Sequence, residues 1–194
     1  MRVLLVLLAL LLASAASAQE AQYARRTAAL TDTPAGGEGG SLVVATPLQV
    51  LEHQGDRALV RINAWYPEGN PAMLYERPGK RVLAAMPKGA SAAAMQGLGE
   101  TAIDETGQSW TRVSLTAWVA GEDVTADRAA VWAEAEALFA SRCTVCHERR
   151  VPARYTANQL FVFLQTMGQR AQLARDERVL VLKYLQSQAK DATE

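Results

Sequence analysis

The chain has 194 residues, 49% of them hydrophobic, enough to bury a core in one mid-sized domain or two small ones. Its 20 Lys and Arg balance 20 Asp and Glu, so a formal net charge of zero gives no global field for nucleic acid. Two cysteines exclude a disulfide-built scaffold.

The N-terminus reads as an export signal. Arg2 precedes the unbroken apolar run Val3 to Leu12, and Ala16-Ser17-Ala18 fits an A-x-A cleavage site before Gln19. Residues 1–18 are therefore expected to be a signal peptide cleaved near Ala18, delivering the chain to a periplasm. An uncleaved anchor is the competing reading. The run is shorter than the roughly 20 residues a spanning helix needs, so no stable membrane span is expected after cleavage.

Residues 19–41 read as a flexible linker, because Pro34-Ala-Gly-Gly-Glu-Gly-Gly40 suits neither helix nor strand. Residues 42–124 read as β structure. Short runs such as Ala58 to Trp65 and Trp110 to Trp118 show partial alternation between Gly and Pro punctuation. Gly55 to Trp65 and Gly107 to Trp118 also echo one another, each a turn, a strand and then Ala-Trp. The spacing of Gly107, Trp110, Val113, Trp118 and Val119 resembles that of bacterial SH3-like domains, although Ala92-Ala-Ala-Met95 departs from it. That resemblance implies a small β-barrel and no ligand. Trp65, Tyr66, Trp110 and Trp118 are candidates for barrel core or for partner contacts.

From Thr125 the apolar period becomes helical. Trp132, Ala135, Leu138 and Phe139 predict one helix. Thr156-Ala-Asn-Gln159 forms a capping-box pattern that opens a second, with Gly168 as its stop. Val179, Leu182, Tyr184 and Leu185 predict a third. The expected fold class is thus α+β in two domains, a small SH3-like β-barrel followed by an all-α domain over 125–194. So small a helical domain is hard to stabilise without help, and a buried cofactor would supply it.

Cys143-Thr-Val-Cys146-His147 carries the chemistry. C-x-x-C-H is the pattern of covalent c-type haem attachment: two thiols one helical turn apart add to the two vinyl groups, and the adjacent His binds the iron. Half a zinc site, a thioredoxin-like dithiol and a structural disulfide compete with it. A zinc site needs four ligands, and His53 is the one other histidine. A dithiol enzyme needs a βαβ context, and a disulfide does not use His147.

With Ala135 and Phe139 ahead of the motif and Tyr184-Leu185 behind it, residues 125–194 resemble a monohaem class I cytochrome c domain. This resemblance implies one covalent haem c held by Cys143 and Cys146, with iron bound by His147 and by an axial methionine. Met167, near the end of the second predicted helix, is the candidate, and a plain packing role is its alternative. Met73, Met86 and Met95 lie in the β region.

The run Tyr155-Thr-Ala-Asn-Gln159, then Met167, Arg170-Ala171 and Leu173, is similar to the C-terminal haem module of pentahaem cytochromes serving trimethylamine N-oxide-type reductases. It implies a redox partner protein, a molybdoenzyme or quinol-linked cytochrome, and an electron-transfer role rather than catalysis. No Ser-His-Asp set or phosphate loop stands out, and His53 reads as an exposed residue before a Gly turn. A haem sensor, or an adaptor whose SH3-like part binds a partner, is the alternative. Pro152 is expected to offer its carbonyl to the His147 ring. Arg149, Arg150, Arg154 and Arg170 cluster near the motif, as propionate partners, docking rim or solvated face.

Overall fold

A computed structural model describes residues 21–192; the expected signal peptide lies outside the described residues. The strands are β1 (Gln22–Ala24), β2 (Ala28–Leu30), β3 (Gly40–Leu42), β4 (Pro47–Gln54), β5 (Arg57–Pro67), β6 (Leu74–Tyr75), β7 (Leu83–Pro87), β8 (Gln96–Ile103), β9 (Ser109–Ala120) and β10 (Val124–Thr125). A short helix, α1 (Gly89–Ala93), interrupts them, and α2 (Arg128–Cys143), α3 (Ala157–Arg170) and α4 (Arg175–Gln186) follow.

β5 and β9 form the spine. They pair antiparallel from Arg57↔Ala120 to Pro67↔Trp110, so the two echoing sequence segments are partners in one ladder. Ala58, Val60, Ile62 and Ala64 face Val119, Ala117, Leu115 and Val113 across it, and all eight are buried. Burying a branched side chain of this kind contributes about 1.5–3 kcal/mol. A one-residue slip of β5 would turn Arg57, Arg61 and Asn63 inward instead, so this face sets the register.

β4 and β6 pair with β5, β8 pairs with β9, and β7, β3 and β2 follow from β6. The path then bends back on itself. Thr31, just past β2, exchanges both backbone hydrogen bonds with Trp118 of β9, each 2.9 Å. Trp110 and Trp118 are buried, which places these two rings in packing roles.

Two expectations are corrected here. The segment 19–41 is not a linker throughout: β1, β2 and the first residues of β3 lie in it, and Ala24 and Leu30 join the sheet core. Gly39 and Gly40 serve close approach. Gly40, at φ +103°, lies where an added Cβ would come within 2.0 Å of the Met86 carbonyl oxygen. Gly40→Ala is therefore expected to cost at least about 2 kcal/mol, read as a lowered urea midpoint.

The second correction concerns the fold class. The structure is mostly β-sheet, ten strands among the described residues in one curved sheet with few helices; it is not an SH3-like barrel followed by an independent all-α cytochrome c domain. The helices do not close a core of their own. Val131, Ala135 and Phe139 of α2, Leu160 and Leu164 of α3, and Val181, Tyr184 and Leu185 of α4 pack in one cluster with Val43, Val44, Ala45 and Val82 from the sheet side. Helical periodicity identified the helices correctly, but periodicity cannot say which other element covers the apolar stripe.

Polar contacts fasten the same junction. The ammonium of Lys183, only 4% exposed, pairs with Glu76 and donates to the Leu83 carbonyl at 3.1 Å. Gln186 Nε2 donates to Arg81 O at 3.0 Å and to Ala157 O at 3.1 Å. Arg77 Nη1 donates to the carbonyls of Asp191 and Ala192, both at 2.7 Å. Burial works to raise the Asp191 carboxyl, but the Lys80 ammonium at 2.9 Å and the Ala157 N–H at 2.8 Å outweigh it and hold it below its ordinary value.

A further carboxylate organises the β8–β9 turn. Asp104 accepts from the Thr106 hydroxyl (2.7 Å) and the Trp110 indole N–H (2.9 Å), and from the backbone N–H groups of Thr106 and Gln108. These bonds lower its pKa from 3.8 to about 2. A depressed carboxylate stabilises the fold above its unfolded value and loses that contribution as pH falls through the folded one. The difference in urea midpoint between the native protein and Asp104→Asn is therefore expected to shrink as pH drops from about 4 to about 2.

Candidate functional site

The site is assembled from α2, the turn after it, and α3. Asp127 caps α2 by accepting from the Ala130 N–H at 2.9 Å. Val131, Ala135 and Phe139 then recur every four residues and face the core, and Cys143, the last residue of α2, continues that stripe. Its thiol is half-buried, and burial pushes its pKa up. The chain leaves the helix at Thr144, whose hydroxyl donates to Ala140 O at 2.6 Å, and Cys146 and His147 come out exposed.

His147 Nδ1 lies 2.8 Å from the Glu148 carbonyl oxygen. A carbonyl only accepts, so Nδ1 carries a proton in this contact and Nε2 is left as the electron-pair donor. The expectation for Pro152 is corrected: its carbonyl accepts from the Tyr155 N–H at 2.9 Å, within a short 3₁₀ turn, while its buried ring lines the cavity beside the motif.

Thr156 and Gln159 close a reciprocal capping box at the start of α3, as their spacing predicts. Gly168 does not stop this helix, which runs on to Arg170. It is buried, and an added Cβ would meet the Arg178 side chain at 2.9 Å, so its role is close packing on α4. Met167 consequently sits in the last helical turn rather than in a loose bend, with its carbonyl accepting from the Ala171 N–H at 2.8 Å.

These elements enclose a cavity of about 360 Å³. Cys143, Cys146, His147 and Met167 all line it, among apolar side chains that include Phe139, Leu160, Phe163 and Leu164. Met73, Met86 and Met95 belong to the sheet region and do not line it. His53 lies on β4, exposed and paired with Ala58, and no cluster of three or more His, Cys, Asp and Glu side chains forms among the described residues.

The structure also gives a cavity role to residues the sequence did not place there: Arg142 and Leu185 line it, Leu185 having been read as helix packing. Lys183 was legible as an anomaly, a lysine inside Leu180-Val-Leu-Lys-Tyr-Leu185, since a charge in so apolar a run calls for a partner.

A family model described as the TorC third cytochrome c domain matches residues 15–124. The chain belongs to this TorC cytochrome c domain family. Within this TorC-family chain the matched segment covers the sheet and contains no cysteine; both cysteines follow it. The cytochrome c-type protein TorC of Escherichia coli K12 is 31% identical over 153 residues, 78% of this chain and 39% of that protein. The cytochrome c-type protein TorY of E. coli O157:H7 is 29% identical over 158 residues, 81% of this chain and 43% of that protein. TorY of Haemophilus influenzae is 28% identical over 137 residues, 71% of this chain and 37% of its own length. The TorC-family chain thus spans about two fifths of the curated relatives it matches. No solved structure matches it. Among the described residues, no helix is long and apolar enough to cross a membrane.

Proposed function

We propose that this chain is a periplasmic electron-transfer protein carrying one covalently attached haem c. The observation that carries the reading is the convergence of two thiols, one imidazole and one thioether on a single apolar-lined cavity. That donor set fits a haem: Cys143 and Cys146 would hold it by thioether bonds, and His147 and Met167 would be its axial ligands. When bound, the group supplies reversible one-electron chemistry at its iron. The chain's own residues do the rest. The Glu148 carbonyl orients the His147 ring so that Nε2 is free to bind. Phe139, Leu160 and Leu164 exclude water from one side of the cavity. The buried stripe of α2 holds Cys143 in place.

The chain transforms no substrate in this reading. The relatives' cytochrome c-type names, with the resemblance at Tyr155 to Leu173, support a redox partner protein that is a trimethylamine N-oxide-type molybdoenzyme or a quinol-linked cytochrome. The A-x-A site at Ala16 to Ala18 supports export with cleavage near Ala18.

The test is a haem spectrum of protein matured in a periplasm. Pigment that stays with the polypeptide through acid–acetone extraction is expected; pigment that leaves with the solvent would refute covalent attachment. Met167→Ala tests the axial ligand. It is expected to remove the weak red absorption band of thioether-bound ferric haem and to lower the midpoint potential, because an axial methionine raises it. An unchanged band and potential would exclude Met167.

A further inference from the structure

The junction between sheet and helices holds another recess, which shares no lining residue with the cavity beside Cys143. Its volume is about 490 Å³, inside the roughly 300–1,000 Å³ of small-molecule sites. Val82 and Trp132 give it apolar walls, and Glu76, Arg128, Lys183 and Gln186 bring polar groups to it. Gln186, 1% exposed, has a fixed amide. Its Nε2 donates to the carbonyls of Arg81 and Ala157, so turning the amide over would set oxygen against oxygen. Its Oε1 is therefore held as an acceptor, and it is buried without a hydrogen-bond partner. A buried acceptor left unpaired is costly, so this group calls for a donor. Lys183, one turn earlier on α4, has the opposite need. Its ammonium carries three N–H groups, and Glu76 and the Leu83 carbonyl take two of them. From the α2 side comes Arg128, exposed and lying 4.8 Å over the Tyr23 ring, with no carboxylate partner among the described residues. Arg77 also lines the recess, engaged by the Asp191 and Ala192 carbonyls. Glu76 is the carboxylate set against these cations, so the lining carries more positive than negative charge.

We propose that this recess binds a small α-hydroxycarboxylate with a hydrocarbon chain. Three parts of such a molecule match three features of the site. Its carboxylate meets Arg128 and the remaining N–H of Lys183, where a charge-assisted bond is strongest. Its hydroxyl donates to Gln186 Oε1. Its chain lies against Trp132 and Val82. An inorganic anion such as sulfate brings charge but no donor for Gln186 and no apolar surface for the walls. The site goes beyond the electron-transfer reading and does not depend on it.

The experiment titrates ¹⁵N-labelled full-length mature protein with α-hydroxyisocaproate and reads chemical shifts. Shifts are expected at the Trp132 indole N–H, the Gln186 side-chain amide and the backbone amides of Glu76 and Arg128. Isocaproate, the same acid without the hydroxyl, should bind about fivefold more weakly, because one hydrogen bond is lost and Oε1 stays unpaired. Arg128→Ala should weaken binding of the hydroxy acid about tenfold, through loss of a charge-assisted contact. Absent shifts, or shifts confined to other parts of the chain, would overturn the proposal and leave the recess to water. So would equal affinity for the two acids, sulfate binding as tightly as either, or indifference to Arg128→Ala. The comparison of the two acids needs no variant, so it decides the matter even if Arg128→Ala folds poorly. Neither readout uses covalent pigment, so this proposal and the haem reading fail separately.

Discussion

Cys143→Ala combined with Cys146→Ala is expected to remove all the covalently held haem proposed for periplasmically matured protein. The two positions hold the chain's only thiols, so no other side chain can replace the thioether bonds. The expected readout is complete loss of acid–acetone-resistant pigment. The single variants are expected to differ in degree. Cys143 is tied to the buried stripe through Val131, Ala135 and Phe139, whereas Cys146 lies exposed beyond the helix end. Loss of Cys143 should therefore disturb placement of the group more than loss of Cys146. A second consequence reaches the fold. The cavity of about 360 Å³ lies among side chains of α2, α3 and α4, and anything bound there only by the folded state stabilises that state. The double variant should unfold at a lower temperature than the mature holoprotein, and resistant pigment in it would refute the assignment of both thiols.

Glu76→Ala is expected to destabilise the protein by about 3–5 kcal/mol, because it strands a buried ammonium without its counter-charge. Lys183 is 4% exposed, and its remaining acceptor is the Leu83 carbonyl. Replacing both partners, Glu76→Leu with Lys183→Met, should cost far less than Glu76→Ala alone, since no charge is then left buried. The pair bridges the sheet to α4, so the same experiment reads the architecture. Trp110 and Trp118 report on the sheet and Trp132 on α2, and Trp132 packs 5.9 Å from Tyr184 between ring centroids. Urea unfolding followed by fluorescence and by helical circular dichroism should give coincident transitions in the native protein. Helices that melted apart from the sheet would contradict a shared core.

Much of the site was legible because its signals are local. The five residues from Cys143 to His147 are contiguous, the capping box of Thr156 and Gln159 spans one turn, and the stripe of Ala135 and Phe139 follows from 3.6-residue periodicity. The alternation in β5 was visible in part, and Met167 stood out as a candidate. Gly168 was misread as a stop because a glycine in a helix signals either an end or a close approach. The choice depends on Arg178, ten residues further on, packing against it.

The fold class was not legible for a related reason. Pro34 to Gly40 looks like linker because glycines at such density disfavour a strand, but β3 uses Gly40 where the Met86 carbonyl leaves no room for a side chain. The helical tail looks self-contained because its own period is complete. Nothing in that period reveals that Val43, Val44, Ala45 and Val82 fill the rest of its core, or that Glu76 neutralises Lys183 from over a hundred residues away. Pattern alone therefore gave the three C-terminal helices, the contiguous motif from Cys143 to His147 and the face on which Cys143 lies, since each depends on neighbours within a turn or two. Tertiary structure decided that residues from the sheet side complete the core of the helices and that His147 and Met167 line one cavity. Those facts depend on burial between distant segments, which acts on surface area and charge without regard to order along the chain.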